Sequence, residues 1–154
     1  MPKLYMMIGV PGAGKSFWLS KQDLSNAVVL STDNYVEYFA QLNNTTYTLI
    51  FKKVIGEATR LMKEDLRKAI RDQKDVYWDQ TNVTAKARAA KLAQIPLTYE
   101  KVAVYFPTPG DAELKRRLDS RPGKMIPVNV VMAMKSQLEP PHQSEGFDGV
   151  VMAG

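Results

Sequence analysis

The chain has 154 residues, 21 of them basic and 16 acidic, for a formal net charge of +5. Its length suits one domain over residues 1–154, and 45% hydrophobic residues exclude wholesale disorder. The absence of cysteine and the single histidine, His142, exclude disulfide scaffolds, thiolate or histidine-rich metal centres and cysteine nucleophiles, while the basic surplus suits a polyanionic partner.

Short apolar runs alternate with longer amphipathic stretches, which predicts an α/β protein with a central parallel sheet of about five strands flanked by helices. A first strand is expected over Leu4–Ile8. The apolar run ends at Val10, too short for a membrane span, and glycines follow it in place of a cleavage site, so a cytoplasmic address is expected.

Residues Gly9-Val10-Pro11-Gly12-Ala13-Gly14-Lys15-Ser16 fit the Walker A pattern G-x-x-x-x-G-K-[ST] at every defined position. With a strand before it and helical-looking Phe17–Lys21 after it, such a loop aims successive backbone N–H groups at a phosphate. This makes Gly12, Ala13, Gly14, Lys15, Ser16 and Phe17 the candidate ATP-binding segment. Lys15 would reach the β- and γ-phosphates, and the Ser16 hydroxyl would ligate Mg²⁺. Phe17 stands where a second hydroxyl residue is frequent, and its ring is expected to pack into the core.

A second strand, Ala27–Leu30, leads into Ser31-Thr32-Asp33-Asn34-Tyr35. The carboxylate of Asp33 could accept a proton from an incoming hydroxyl, or belong to the first turn of a helix capped by Ser31 or Thr32. Tyr35, Tyr38, Phe39, Tyr47 and Phe51 could stack on bases beside Lys52 and Lys53, or simply fill the core. Ile50, Val54, Ala58, Leu61, Leu66 and Ile70 recur at helical spacing and predict one long amphipathic helix.

The third strand, Val76–Trp78, ends at Asp79-Gln80-Thr81-Asn82. Asp79 resembles a Walker B acid that binds magnesium through water or orients an acceptor; equally, Thr81, Asn82 and Thr84 could make turn bonds and cap the next helix. After a fourth strand, Val102–Phe106, Thr108-Pro109-Gly110-Asp111 predicts a helix start with Thr108 as its cap. Lys115, Arg116, Arg117, Arg121 and Lys124 surround the breaker Pro122-Gly123. Arg117 and Arg121 could close over a triphosphate as a small lid, or be a solvated basic helix end. A helix from Pro127 to before Pro140 and a last strand, Val150–Met152, complete the reading, with His142 in a surface loop.

Taken together, the Gly9–Ser16 loop, Ser31–Tyr35, Asp79–Asn82, and Arg117 and Arg121 before Ile126-Pro127 resemble the 5′-hydroxyl polynucleotide kinase family, its phage branch above all. The segment Glu145-Gly146-Phe147-Asp148-Gly149-Val150 is similar to the last strand of that kinase module. The resemblance covers nearly the whole chain and implies a P-loop NTPase fold and transfer of the ATP γ-phosphate to the 5′-hydroxyl of DNA or RNA in nucleic-acid end repair. It also implies action in a host cytoplasm if the chain is phage-encoded. By the same resemblance Lys15 and Ser16 bind ATP and magnesium and Asp33 is the general base. Arg121 is then the lid arginine, with Arg117 as a second candidate, and Asp79, Thr81 and Asn82 organise the acceptor site. Val36, followed by Glu37, stands where phage members carry an arginine that grips the acceptor's phosphate. No Asp-x-Asp-Gly-Thr motif is present, so the 3′-phosphatase activity of two-domain relatives is not expected. Two other readings stay open: a kinase of small hydroxyl compounds such as nucleosides, sugars or adenylyl sulfate, and a non-catalytic ATP switch.

Overall fold

The computed structural model describes residues 1–121, 123–124 and 126–153. Five strands form one sheet: β1 (Lys3–Ile8), β2 (Ala27–Leu30), β3 (Asp75–Asp79), β4 (Glu100–Tyr105) and β5 (Gly149–Met152). Their spatial order is β2-β3-β1-β4-β5, and every neighbouring pair is parallel. β1 lies at the centre. The chain leaves it to build β2 and β3 on one side and returns to build β4 and β5 on the other. The C-terminal end of β1 is therefore a topological switch point, the place where open α/β sheets bind ligands.

Side chains alternate across β1. Leu4, Met6 and Ile8 are buried on one face among Met62, Leu66, Trp78, Leu92 and Phe147, and Met7 faces the opposite layer with Val104, Phe106, Leu114, Leu118 and Val131. With a helical layer on each face, the strands read as continuous apolar runs, as buried parallel strands must.

The first layer is built on α3 (Tyr47–Arg71), the long amphipathic helix, and α4 (Ala85–Leu92). The Thr46 hydroxyl caps α3 by accepting from the Leu49 amide at 3.4 Å. Ile50, Ala58, Met62, Leu66 and Ala69 form its buried stripe, so Met62 and Ala69 take the inward positions expected for Leu61 and Ile70. Leu61 and Ile70 are half-buried beside that stripe, and Ile70 still packs against the first-layer core. A shorter helix, α2 (Thr32–Leu42), packs on α3 through Val36 and Ala40.

The opposite layer comprises α1 (Lys15–Leu19), α5 (Asp111–Asp119) and α6 (Val128–Gln137). The expected start of α5 is corrected by the structure. Gly110, not Thr108, is the N-cap, and it has no side-chain cap bond. The Thr108 hydroxyl is buried and makes no hydrogen bond, and Asp111 and Glu113 favour the first turn through the helix dipole instead. Pro127 is likewise the N-cap of α6 and not its first helical residue. Of the expected breaker, Pro122 lies outside the described residues; Gly123 has φ +69°, a conformation glycine adopts without strain.

Candidate active site

The Gly9–Ser16 loop runs from the end of β1 into α1, and its shape uses positive φ angles that favour glycine. A Cβ at Gly12, where φ is +87°, would lie 2.9 Å from Leu114 Cδ1, and Gly14 caps α1 at φ +102°. The Gly9 amide donates to the Thr81 carbonyl at 3.0 Å, tying the loop to the segment after β3. Lys15 folds back over the loop and donates from Nζ to the Gly9 carbonyl at 2.7 Å. Burial pulls its ammonium down to about 8, against the opposing pull of Asp79 and Asp33.

Two clefts flank this loop. One, of about 750 Å³, is lined by Lys15, Ser16, Asp33, Asp79, Thr81 and Arg121 among others. The other, of about 630 Å³, is lined by Gly12, Ala13, Gly14, Phe17, Trp18 and Arg117, and again by Lys15, Ser16 and Arg121. Both volumes lie in the range of small-molecule sites. Lys15, Ser16 and Arg121 are thus common to both clefts. The structure also separates the two arginines that the sequence left paired. Arg117 donates to the Gly12 carbonyl at 2.9 Å and to Glu113 at 2.9 Å, which pins it to the loop, whereas Arg121 faces both cavities.

Asp33 lies in the first turn of α2, where Ser31 is the cap, its hydroxyl accepting from the Asn34 amide at 3.2 Å. Both readings of this segment therefore hold in position: Asp33 is a helix first-turn residue and also faces the first cleft. Its Oδ1 accepts from the Tyr47 hydroxyl at 2.6 Å and its Oδ2 from Lys124 Nζ at 2.8 Å. Burial pushes its carboxyl up, but the bonds from Lys124 and Tyr47 and the charges of Lys124 and Lys15 outweigh it, holding the group below its ordinary value. Asp79, at the end of β3, goes the other way: burial raises it, opposed by Lys15 and reinforced by Asp33. The two carboxylates thus shift in opposite directions within one cleft.

Phe17 departs from expectation. Its ring is exposed, with Lys21 Nζ 4.8 Å from its centroid, because α1 turns that side of the helix toward the second cleft. Thr81 lines the first cleft, but Asn82 lines neither. Asn82 is buried at φ +48°, and its amide donates to the Met7 carbonyl at 2.7 Å, so it ties β1 to the segment after β3. Val36 is fully buried between α2 and α3, and Glu37 lines the cleft beside it. Tyr47 and Phe51 line the cleft, whereas Tyr35 and Phe39 pack against the α2–α3 core.

A support beneath the site was not legible in the sequence. Arg88 on α4 is wholly buried; it donates to the Asn82 carbonyl at 2.9 Å and bidentately to Glu145 at 2.8 and 3.1 Å. No local pattern pairs side chains 57 positions apart. Replacing Arg88 with methionine strands a largely buried carboxylate and is expected to cost about 3–5 kcal/mol, read as a lowered urea midpoint. An unchanged midpoint would show that the pair is idle. Burial raises Glu145, but Arg88 and the His142 amide hold it below its ordinary value, so its stabilisation is present above the unfolded pKa and is lost as pH falls through the folded one.

Comparison with known proteins agrees with this architecture. The family described as AAA domain matches residues 4–141. Heterogeneous nuclear ribonucleoprotein U-like protein 2 of Mus musculus is 23% identical over 158 residues, an alignment covering 96% of this chain and 21% of that protein. A chain of the Pnkp1/Rnl/Hen1 RNA repair complex superposes with a TM-score of 0.68 at 22% identity, covering 96% of this chain and 46% of that one. A candidate kinase from Chloroflexus aurantiacus J-10-fl superposes with a TM-score of 0.67 at 14% identity, covering 99% and 87%. The chain thus spans about a fifth of the mouse protein and under half of the repair-complex chain. With the phosphate loop at the switch point of a five-stranded parallel sheet and the family matched over most of its length, the chain belongs to the AAA domain family and has the P-loop kinase fold.

Proposed function

We propose that the protein is an ATP-dependent kinase that transfers the γ-phosphate to a hydroxyl, with the 5′-hydroxyl end of DNA or RNA as acceptor. The observation that carries this reading is the sharing of Lys15, Ser16 and Arg121 between two clefts, with Asp33 in only one of them. A triphosphate entering from the Phe17 side would end at the shared residues, and a hydroxyl entering from the Asp33 side would meet it from the opposite direction. As the acceptor oxygen bonds the γ-phosphorus, its proton passes to Asp33, and the bond to the bridging oxygen breaks to release ADP. The transition state is loose, so Lys15 and Arg121 act through charge and placement. Likeness to a chain of an RNA repair complex supports a nucleic-acid acceptor.

The residues present fit a magnesium ion. The Ser16 hydroxyl and the Asp79 carboxylate are hard oxygen donors lining one cleft, and neither side chain has a hydrogen-bond partner among the described residues. Held there with ATP, a magnesium ion would supply positive charge against the triphosphate. Among the described residues no three acidic, His or Cys side chains cluster into a metal cage, so substrate phosphates would complete the coordination.

One observation favours a second reading. With Val36 buried, α2 presents Glu37 and no cation to the acceptor cleft, which suits an uncharged small hydroxyl compound. Labelled ATP offered with a 5′-hydroxyl oligonucleotide beside nucleosides, sugars and adenylyl sulfate separates the two. Magnesium-dependent label in the oligonucleotide is expected. Label confined to a small metabolite would replace the proposal, and ATP binding with no labelled acceptor would restore the switch.

The lowered pKa of Lys15 adds a pH dependence. Phosphate binding needs the ammonium, and in the free protein it is lost as pH rises through about 8. Affinity for a non-hydrolysable ATP analogue is therefore expected to fall roughly tenfold between about pH 7 and pH 9, measured calorimetrically. Constant affinity across that window would show that the lysine stays charged.

A further inference from the structure

Asp33 lies on α2, whose buried residues Val36 and Ala40 pack against α3 in a cluster that contains no strand residue. β2, which leads into α2, is a four-residue strand at the edge of the sheet, whereas the phosphate loop hangs from β1 at its centre. Phosphoryl transfer needs the two parts at a fixed separation, since a misplacement of about 1 Å can cost roughly 10²-fold in rate. The ties on the Asp33 carboxylate come from Tyr47 on α3 and from Lys124 after α5, so neither refers it to the sheet.

Gln80 makes that connection. Trp78 is buried near the end of β3, and its indole Nε1 donates to Gln80 Oε1 at 3.0 Å. An indole N–H is a donor only, so the amide oxygen must face it and the amide nitrogen is turned the other way. There Nε2 donates to Thr32 Oγ1 at 3.3 Å, in the first turn of α2 and next to Asp33. Trp78 is itself held from α4, where Lys91 Nζ lies 5.3 Å from its ring centroid and donates to the side-chain oxygen of Asn82. The backbone beside Gln80 is fixed to the phosphate loop and its strand. The Thr81 carbonyl accepts from the Gly9 amide at 3.0 Å, and the Asn82 side-chain amide donates to the Met7 and Gln80 carbonyls at 2.7 and 3.3 Å. One side chain thus joins the frame of the loop to the helix that carries the base.

We infer that Gln80 is a positioning residue for phosphoryl transfer: through Thr32 it sets the place of Asp33 relative to the phosphate loop. This rests on the kinase reading above and deepens it. Gln80 and Thr32 line the acceptor-side cleft, but both ends of the Gln80 amide are engaged within the protein, so its part is to hold α2 and not to hold substrate. Its loss therefore falls on the chemical step. Tyr47 and Lys124 keep the carboxylate oriented on α2, while the first turn that bears it loses its reference to β3.

The test is a double-mutant cycle read with labelled ATP and a 5′-hydroxyl oligonucleotide, or with a compound of the panel above should the label go there. Gln80→Met keeps the length of the side chain and ends its bond to Thr32. Thr32→Val removes the other end of that bond, leaves the Trp78 indole paired, and so serves as the second variant should Gln80→Met fold poorly. Each is expected to lower kcat about tenfold with the KM for ATP and for the acceptor within about twofold. The double variant is expected to lose no more than the worse single one, because both substitutions remove the same bond. Thr32→Ser keeps the acceptor oxygen and is expected to restore kcat, with urea midpoints measured on every variant to separate rate from stability. Wild-type kcat in Thr32→Val, losses that multiply in the double variant, or a rise confined to acceptor KM overturns this inference alone. A wild-type protein that labels neither the oligonucleotide nor any compound of the panel overturns the kinase reading beneath it.

Discussion

Lys15→Ala is expected to abolish phosphoryl transfer, because it removes from the phosphate loop a cation that lines both clefts. Its Nζ bridges back to the Gly9 carbonyl, and its charge offsets Asp33 and Asp79 on the acceptor side. Removing it leaves two facing carboxylates with less compensation, so anionic phosphate would meet net repulsion. Single-turnover kinetics with labelled ATP measure the loss. Activity within about tenfold of the wild type would mean that the loop binds phosphate by backbone amides alone and that the charge is dispensable.

Asp33→Asn should lower turnover by roughly 10²-fold or more and leave ATP affinity nearly intact. Asparagine keeps the shape and can still accept from Tyr47 or Lys124, but it cannot take a proton. ATP would contact the loop from the other cleft, which Asp33 does not line. The measurement pairs steady-state kcat with calorimetric ATP binding on the same variant. Full turnover would remove Asp33 from the chemistry and leave it as a helix first-turn residue. A parallel collapse in ATP affinity would instead assign it to organising the donor site.

Much of the architecture was legible because parallel strands buried on both faces leave short apolar runs with clear boundaries. β2 was expected at its observed limits, and the other strands differ from expectation by one or two residues at their ends. The long helix was legible for the same reason, since one apolar stripe must face the sheet. Thr108-Pro109-Gly110-Asp111 misled because a capping residue is chosen by where the chain clears the sheet: Thr108 is drawn inward and Gly110 takes its place. Phe17 misled because its hydrophobicity says nothing about which side of a five-residue helix faces the layer.

The Walker loop announced itself because a phosphate cradle needs glycines, lysine and a hydroxyl at fixed local spacing, and local spacing is what a sequence records. The family and fold follow from that loop together with the alternation of strands and helices. Only the tertiary structure decided that Arg117 braces the loop while Arg121 faces both clefts, that Asn82 is a strut, and that Tyr47 and Lys124 converge on Asp33. These pairings join residues from 14 to 105 positions apart. Charge and hydrogen-bond complementarity act through space, so they depend on where the sheet order and helix packing bring the side chains, not on their separation along the chain.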